Sequence, residues 1–79
     1  MLTSKLAQSM KNAINDAPRN AYVAELHLQV IKHSQELCNV SGLEFCEALQ
    51  IPVSYGTEFK KMLKIAPRLI GAGLDVDQI

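Results

Sequence analysis

The chain has 79 residues, eight basic and eight acidic side chains, and a formal net charge of zero. A chain of this length forms one domain with a small core, and zero net charge argues against a protein that coats nucleic acid by charge alone. Trp is absent and the aromatic residues are two Tyr and two Phe, so Leu, Ile, Val, Ala and Met must build the core, which favours packed helices.

Signals for strands and for membrane segments are missing. No run of β-branched and aromatic residues alternates with period two, and no Asn-Gly or Asp-Gly turn separates apolar runs. No apolar run approaches 18 residues, and residues 1–5 lack the apolar core of a signal peptide. We therefore predict a soluble, cytoplasmic, all-α protein: a compact bundle of four to five helices in a single domain, residues 1–79, without a membrane segment.

The first half of the chain shows two helical patterns. Thr3 or Ser4 can cap a helix that runs to about Asn15, before Pro18 interrupts the pattern. A longer helix is predicted from about Arg19 or Asn20 to about Cys38. Apolar area on it that no other helix covers is a candidate dimer contact. The apolar stripe of the first helix comprises Leu6, Met10, Ala13, Ile14 and Ala17; the second helix has two, Val23, Leu26, Val30 and Leu37, and Ala24, Leu28, Ile31 and Cys38.

The cysteines and histidines do not form a recognisable metal or redox motif. Cys38 and Cys46 lack CxxC spacing, and we expect both to be buried free thiols. His27 and His33 lie six residues apart and so do not share a helix face as an i, i+4 metal pair would. We predict partly exposed histidines, no metal and no cofactor.

A helix-turn-helix is predicted over residues 41–65. Ser41 and Glu44 form a capping box, with Val40 as the hydrophobic staple, at the start of a helix from about Gly42 to Gln50. Pro52 ends this helix, and Ser54 is expected to cap the next one. That helix should run from Tyr55 to about Ile65 or Ala66, where Pro67 either ends it or begins a short continuation. Its predicted packing side carries Tyr55, Phe59, Met62, Leu63 and Ala66.

Residues 71–79 are predicted to form a flexible C-terminal tail that follows Gly71 and Gly73. Leu74 and Ile79 could tuck into the core from a single helical turn, or the segment could fray.

The exposed face of the last long helix is predicted to bind DNA. In a helix-turn-helix the N-terminal residues of the second helix meet base edges, which here are Ser54, Gly56 and Thr57, with Tyr55 near the phosphates. The window 58–68 has four basic residues against one acid, so it carries about +3 charges. No Arg, Asn or Gln occupies a base-reading position, so strong direct readout is not evident. The basic side chains that would neutralise phosphates are Lys60, Lys61, Lys64 and Arg68.

Residues 41–61, Ser-Gly-Leu-Glu-Phe-Cys-Glu-Ala-Leu-Gln-Ile-Pro-Val-Ser-Tyr-Gly-Thr-Glu-Phe-Lys-Lys, resemble the core of small bacterial helix-turn-helix-like proteins. In these proteins a helical segment precedes a junction of leucine, X, isoleucine, proline, X, serine and tyrosine, which stands here at 49–55. The resemblance extends from about Ala13 to Lys64 and implies a helical fold and DNA binding. Gln50 stands where the turn often has Gly, and Gly56 near where an inward β-branched residue is common, which predicts a longer turn or a tilted second helix.

Two functions are compatible with these patterns. The first is a DNA-binding protein, a transcriptional regulator that acts as a homodimer on two half-sites. The alternative is a helical protein-interaction module, such as an adaptor, an antitoxin-like partner or a phage-encoded inhibitor, that does not bind DNA. No nucleophile with a neighbouring base and no Gly-rich phosphate loop is present, so we do not expect an enzyme.

Overall fold

Five α-helices form most of residues 2–79, the part of the chain that the computed structural model describes. No strand occurs within these residues, and the predicted all-α bundle is confirmed. The helices are α1 (Ser4–Asp16), α2 (Tyr22–Lys32), α3 (Ser34–Leu37), α4 (Gly42–Leu49) and α5 (Gly56–Gly71), and short 3₁₀ turns occupy Arg19–Ala21, Val53–Tyr55 and Val76–Gln78.

The first helix begins and ends where local chemistry predicts. The hydroxyl of Thr3 accepts a hydrogen bond from the amide of Leu6 at 3.1 Å, which satisfies one of the free amides of the first turn. Pro18 follows two residues after the last helical residue. Ala7, Met10 and Ile14 are buried, and α1 packs against α2 and α4.

The predicted long helix from about residue 19 to Cys38 is interrupted, so that prediction is wrong. A 3₁₀ turn precedes α2, and His33, at φ −105° and ψ 21°, separates α2 from α3. The amides of Glu36 and Leu37 both donate to the carbonyl of His33, which starts a new helical register. The change of direction brings α3 against α5 while Leu37 is fully buried.

The centre of the core is a pair of stacked phenyl rings from α4 and α5. The ring centroids of Phe45 and Phe59 lie 4.4 Å apart with an interplanar angle of 21°, and both side chains are fully buried. Cys46 is buried beside them, as predicted, whereas Cys38 is exposed and the prediction for it is wrong. Cys38 directly follows the last residue of α3 and lies on the outer surface, so its side chain does not pack in the core. His27 and His33 are both half-buried, as expected.

Candidate nucleic-acid interface

Helix α4 is held at its N-terminus by two side chains. The hydroxyl of Ser41 accepts from the amide of Glu44 at 3.0 Å, which confirms one half of the predicted capping box. The other half is absent, because a Glu44 carboxylate oxygen accepts from the amide of Leu2 at 3.4 Å instead of from Ser41. Val40 is buried in front of the cap, as a hydrophobic staple should be. The start of the helix-turn-helix is thereby tied to the beginning of α1.

The turn after α4 is closed by a Schellman motif. Gln50 adopts left-handed geometry, φ 57° and ψ 46°, a conformation usually given to Gly. The amide of Ile51 donates to the carbonyl of Cys46 at 3.0 Å and that of Gln50 to Glu47 at 3.2 Å. Lys11 on α1 donates to the carbonyls of Leu49 and Gln50, so the last carbonyl of the helix also has a donor.

The two helices of the motif touch through glycines. A Cβ placed on Gly42 would lie 3.1 Å from both the Cα and the carbonyl oxygen of Gly56. Gly56 therefore faces α4, and the prediction that it lies on the exposed face of the helix is wrong. Because neither residue has a side chain at this contact, the N-terminal ends of α4 and α5 can approach backbone to backbone.

The start of α5 differs from the predicted N-cap. Ser54 lies in the middle of the 3₁₀ turn Val53–Tyr55, where the amide of Tyr55 donates to the carbonyl of Pro52 at 3.1 Å. Helix α5 then begins at Gly56, and no side chain caps it. A capping residue needs extended backbone geometry, which the 3₁₀ turn removes from Ser54. The hydroxyl of Ser54 is exposed beside the helix start.

Helix α5 runs through Pro67 to Gly71, so of the two predicted outcomes the end near Ile65 or Ala66 is wrong and a continuation past Pro67 is what forms. Proline has no N–H for the carbonyl of Leu63, yet the helix continues because its last two turns are packed: Ala66 is fully buried and Ile70 half-buried. It closes at Gly73, at φ 114°, with the amide of Leu74 donating to Leu69 at 3.0 Å.

The extended α5 carries a ridge of polar and basic side chains on its outer surface. Its members are spaced by three and four residues, so they line up along the helix over roughly 16 Å. Ser54 and the half-buried Tyr55, whose ring centroid lies 6.1 Å from that of Tyr22, precede its N-terminal end. We call the row of side chains on the outer surface of α5 the basic ridge. It consists of Thr57, Lys60, Lys61, Lys64 and Arg68, all of which are exposed.

Charge pairing within the basic ridge is confined to one lysine. Lys61 Nζ lies 3.5 Å from a carboxylate oxygen of Glu58, whose other oxygen lies 3.7 Å from His27 Nε2. Lys60, Lys64 and Arg68 have no carboxylate within ion-pair distance among residues 2–79. The Glu58–His27 contact joins distant parts of the chain and has no sequence signal, whereas the i, i+3 spacing of Glu58 and Lys61 can be read locally.

The amino-acid sequence matches the model of one known protein family. The family model of the HTH-like domain matches residues 3–72, which include all five helices. The chain belongs to the HTH-like domain family. A search of curated proteins and a search of solved structures gave no match. The matched range ends just after α5, so in this HTH-like domain the whole basic ridge lies inside the family's boundaries.

The described part of this HTH-like domain contains neither a membrane-spanning helix nor a clustered metal site. Among residues 2–79, no helix is both long enough and apolar enough to cross a membrane. The same residues contain no group of three His, Cys, Asp or Glu side chains placed to hold a metal ion.

Proposed function

We propose that this HTH-like domain binds double-stranded DNA through the outer face of α5. The observation that supports this is the basic ridge, in which Lys60, Lys64 and Arg68 have no acidic partner within residues 2–79. The ridge lies on the second helix of a helix-turn-helix, the element that enters the major groove in proteins of this architecture. Because the net charge of the chain is zero, this positive face is a local feature and not an average property.

The residues of the interface would have distinct roles along α5. At its N-terminal end the hydroxyls of Ser54 and Thr57 would meet base edges, and Tyr55 would lie near a phosphate. Gly56 contributes by the close contact with Gly42, which sets how α5 protrudes beyond α4. Phosphate contacts by Lys60, Lys61, Lys64 and Arg68 would supply most of the affinity. Without Arg, Asn or Gln at the base-reading positions, discrimination between sequences should be modest.

The protein would act as a homodimeric transcriptional regulator on two half-sites about one helical turn apart. Self-association is supported by an uncovered apolar groove between α3 and α5, whose floor includes Leu63, Pro67 and Ile70. Small domains rarely leave such a surface bare.

A salt titration against a mixed-sequence duplex tests DNA binding. We expect log Kobs to fall linearly with log salt concentration, with a slope of about −0.9 per phosphate contacted. The double variant Lys61→Ala/Arg68→Ala should lower the steepness of this slope by about two contacts. The matched control Lys5→Ala/Arg19→Ala removes the same charge from exposed positions outside α5 and should leave the slope unchanged.

Absence of binding at low salt would reject the proposal. That outcome would instead favour the protein-interaction module. Equal losses in the variant and its control would show that binding follows total charge and does not use α5.

A further inference from the structure

The most exposed of the large apolar side chains in residues 2–79 is that of Val53, which keeps 66% of its surface accessible. Val53 begins the 3₁₀ turn Val53–Tyr55, which directly precedes α5. The amide of Gly56 donates to the carbonyl of Val53, and Tyr55 and Gly56 both have right-handed helical backbone angles, so the turn runs into α5 without a break. Val53 therefore stands at the N-terminal tip of the second helix of the helix-turn-helix.

The tip presents only part of its residues to the outside. The ring centroid of Tyr55 lies 6.1 Å from that of Tyr22 on α2, and Gly56 lies against the first residue of α4. Both residues of the tip are therefore directed towards other helices. The side chains that remain on the outside are those of Val53, Ser54 and Thr57, all exposed. They offer methyl groups and hydroxyls and carry no charge.

The tip continues the line of the basic ridge. Thr57 follows Val53 by four residues, and Lys60 and Lys61 follow Thr57 by three and four, so these side chains share one side of the helical path. Because the 3₁₀ turn rises by about 2.0 Å per residue and the α-helix by about 1.5 Å, Val53 extends the ridge by roughly 7 Å beyond Thr57. The outer side of α5 thus has an uncharged, partly apolar end and a cationic length behind it.

These two parts match the two kinds of surface that a DNA duplex offers. Phosphate oxygens attract lysine and arginine, and these contacts position a protein without reporting sequence. In the major groove the base edges carry hydrogen-bonding groups and one apolar group, the C5-methyl of thymine. Hydroxyls such as those of Ser54 and Thr57 can pair with several bases and select none. The apolar side chain of Val53 therefore has thymine as its complementary base.

We propose that Val53 reads thymine in the major groove, by packing its methyl groups on the C5-methyl of the base while the basic ridge holds the phosphates. This inference rests on the proposed DNA binding and names the base that the interface selects. The removal of one such methyl group should raise Kd about fourfold for each Val53 in contact, because that is the factor that one methyl group withdrawn from water contributes to affinity.

Two DNA probes that differ only in this methyl group test the proposal: the alternating copolymers of dA with dT and of dA with dU. Both present the same base edges wherever the protein binds, so no operator sequence has to be known. Competition against a labelled duplex, followed by fluorescence anisotropy at one salt concentration, measures both values of Kd. The wild-type protein should bind the copolymer with dT about fourfold more tightly per contact.

Val53→Ala should bind both copolymers with the weaker affinity that the wild type has for the one with dU. Its slope of log Kobs against log salt should be unchanged, because no phosphate contact is lost. Val53→Ile keeps an apolar side chain and should keep the preference. The matched control is Val23→Ala, which shortens a valine that is 39% exposed on α2, outside the helix-turn-helix, and should leave both values of Kd unchanged. All three variants should keep the urea midpoint of the wild type, since both valines are exposed.

Equal wild-type affinities for the two copolymers would overturn the assignment of thymine. A preference that persists in Val53→Ala would overturn the role of Val53, since the cycle of methyl removal and side-chain removal would show no coupling between them. In both cases salt-dependent binding by the basic ridge would still stand. Absence of binding to either copolymer at low salt would instead reject DNA binding itself, and this inference with it.

Discussion

Replacing Gly42 by Ala should destabilise the protein because the new methyl group meets the backbone of α5. The added Cβ would lie 3.1 Å from two backbone atoms of Gly56, whereas carbon atoms pack best at about 3.5–4.0 Å. The start of α5 cannot retreat freely, since the Phe45–Phe59 stack holds it against α4. Overpacking costs about 1–3 kcal/mol, and removing a glycine from the unfolded chain returns about 0.4–1 kcal/mol. We therefore expect a net loss of about 1–2 kcal/mol.

Gly56→Ala is the matched control on the other side of the same contact. Its Cβ would lie 3.5 Å from the nearest atoms of Gly42, which is ordinary van der Waals distance. Its unfolding free energy should equal the wild-type value or exceed it by up to about 1 kcal/mol, since no atom has to move and the unfolded chain loses the freedom of a glycine. Urea unfolding followed by circular dichroism at 222 nm measures both variants, and thermal unfolding should show the Gly42→Ala loss as a Tm about 4–8 °C lower per kcal/mol.

The two substitutions are expected to have different effects, because only the methyl group of Gly42→Ala meets backbone atoms at 3.1 Å. If Gly42→Ala is as stable as the wild type, or if Gly56→Ala is the more damaging change, the helices do not cross as described. The DNA titration adds a consequence for function. Because Gly42 sets the approach of α5, Gly42→Ala should also weaken binding of a duplex, while Lys5→Ala should not.

Three further predictions concern single side chains and use the same unfolding measurements. Phe59→Ala should lower the unfolding free energy by about 3–5 kcal/mol, and an unchanged urea midpoint would show that the stacked ring is not core. Gln50→Gly should raise it by about 0.5–1 kcal/mol, because glycine adopts positive φ without strain; a lower midpoint would contradict this. Burial lowers the pKa of His33, against the opposing effect of Glu36, so the unfolded chain binds the proton more tightly. Stability should therefore fall as the pH drops below about 6.5, and identical pH profiles for the wild type and His33→Gln would refute this assignment.

The sequence predicted those features of the fold that depend on neighbouring residues. Thr3 and Ser41 cap helices because their hydroxyls reach amides three residues away. Pro18 and Pro52 lie between helices as expected, since proline lacks a donor. The sequence also shows that Gln50 stands where a helix-turn-helix often has Gly. In the structure Gln50 is the left-handed residue of the turn that ends α4.

The features that the sequence does not predict depend on contacts between distant residues. The break at His33 lets α3 reach α5, and no local proline or glycine signals it. By its spacing Gly56 belongs to the outer face of α5, and only its contact with Gly42, fourteen residues earlier, places it against α4. The roles of the basic ridge in DNA binding and the flexibility of residues 71–79 stay predictions.

The continuation of α5 through Pro67 has consequences for both proposed surfaces. Had the helix ended at Ala66, Arg68 would have left the line that begins at Thr57, and the basic ridge would have been one turn shorter. The same continuation carries Ile70 and Gly71 into the groove wall opposite Cys38. A lost backbone hydrogen bond at Leu63 is therefore accompanied by a longer cationic surface on one side of α5 and an apolar groove on the other. If the basic ridge binds DNA and the groove mediates self-association, a change that ends α5 at Pro67 should impair both activities. Lys61→Ala/Arg68→Ala should impair DNA binding alone.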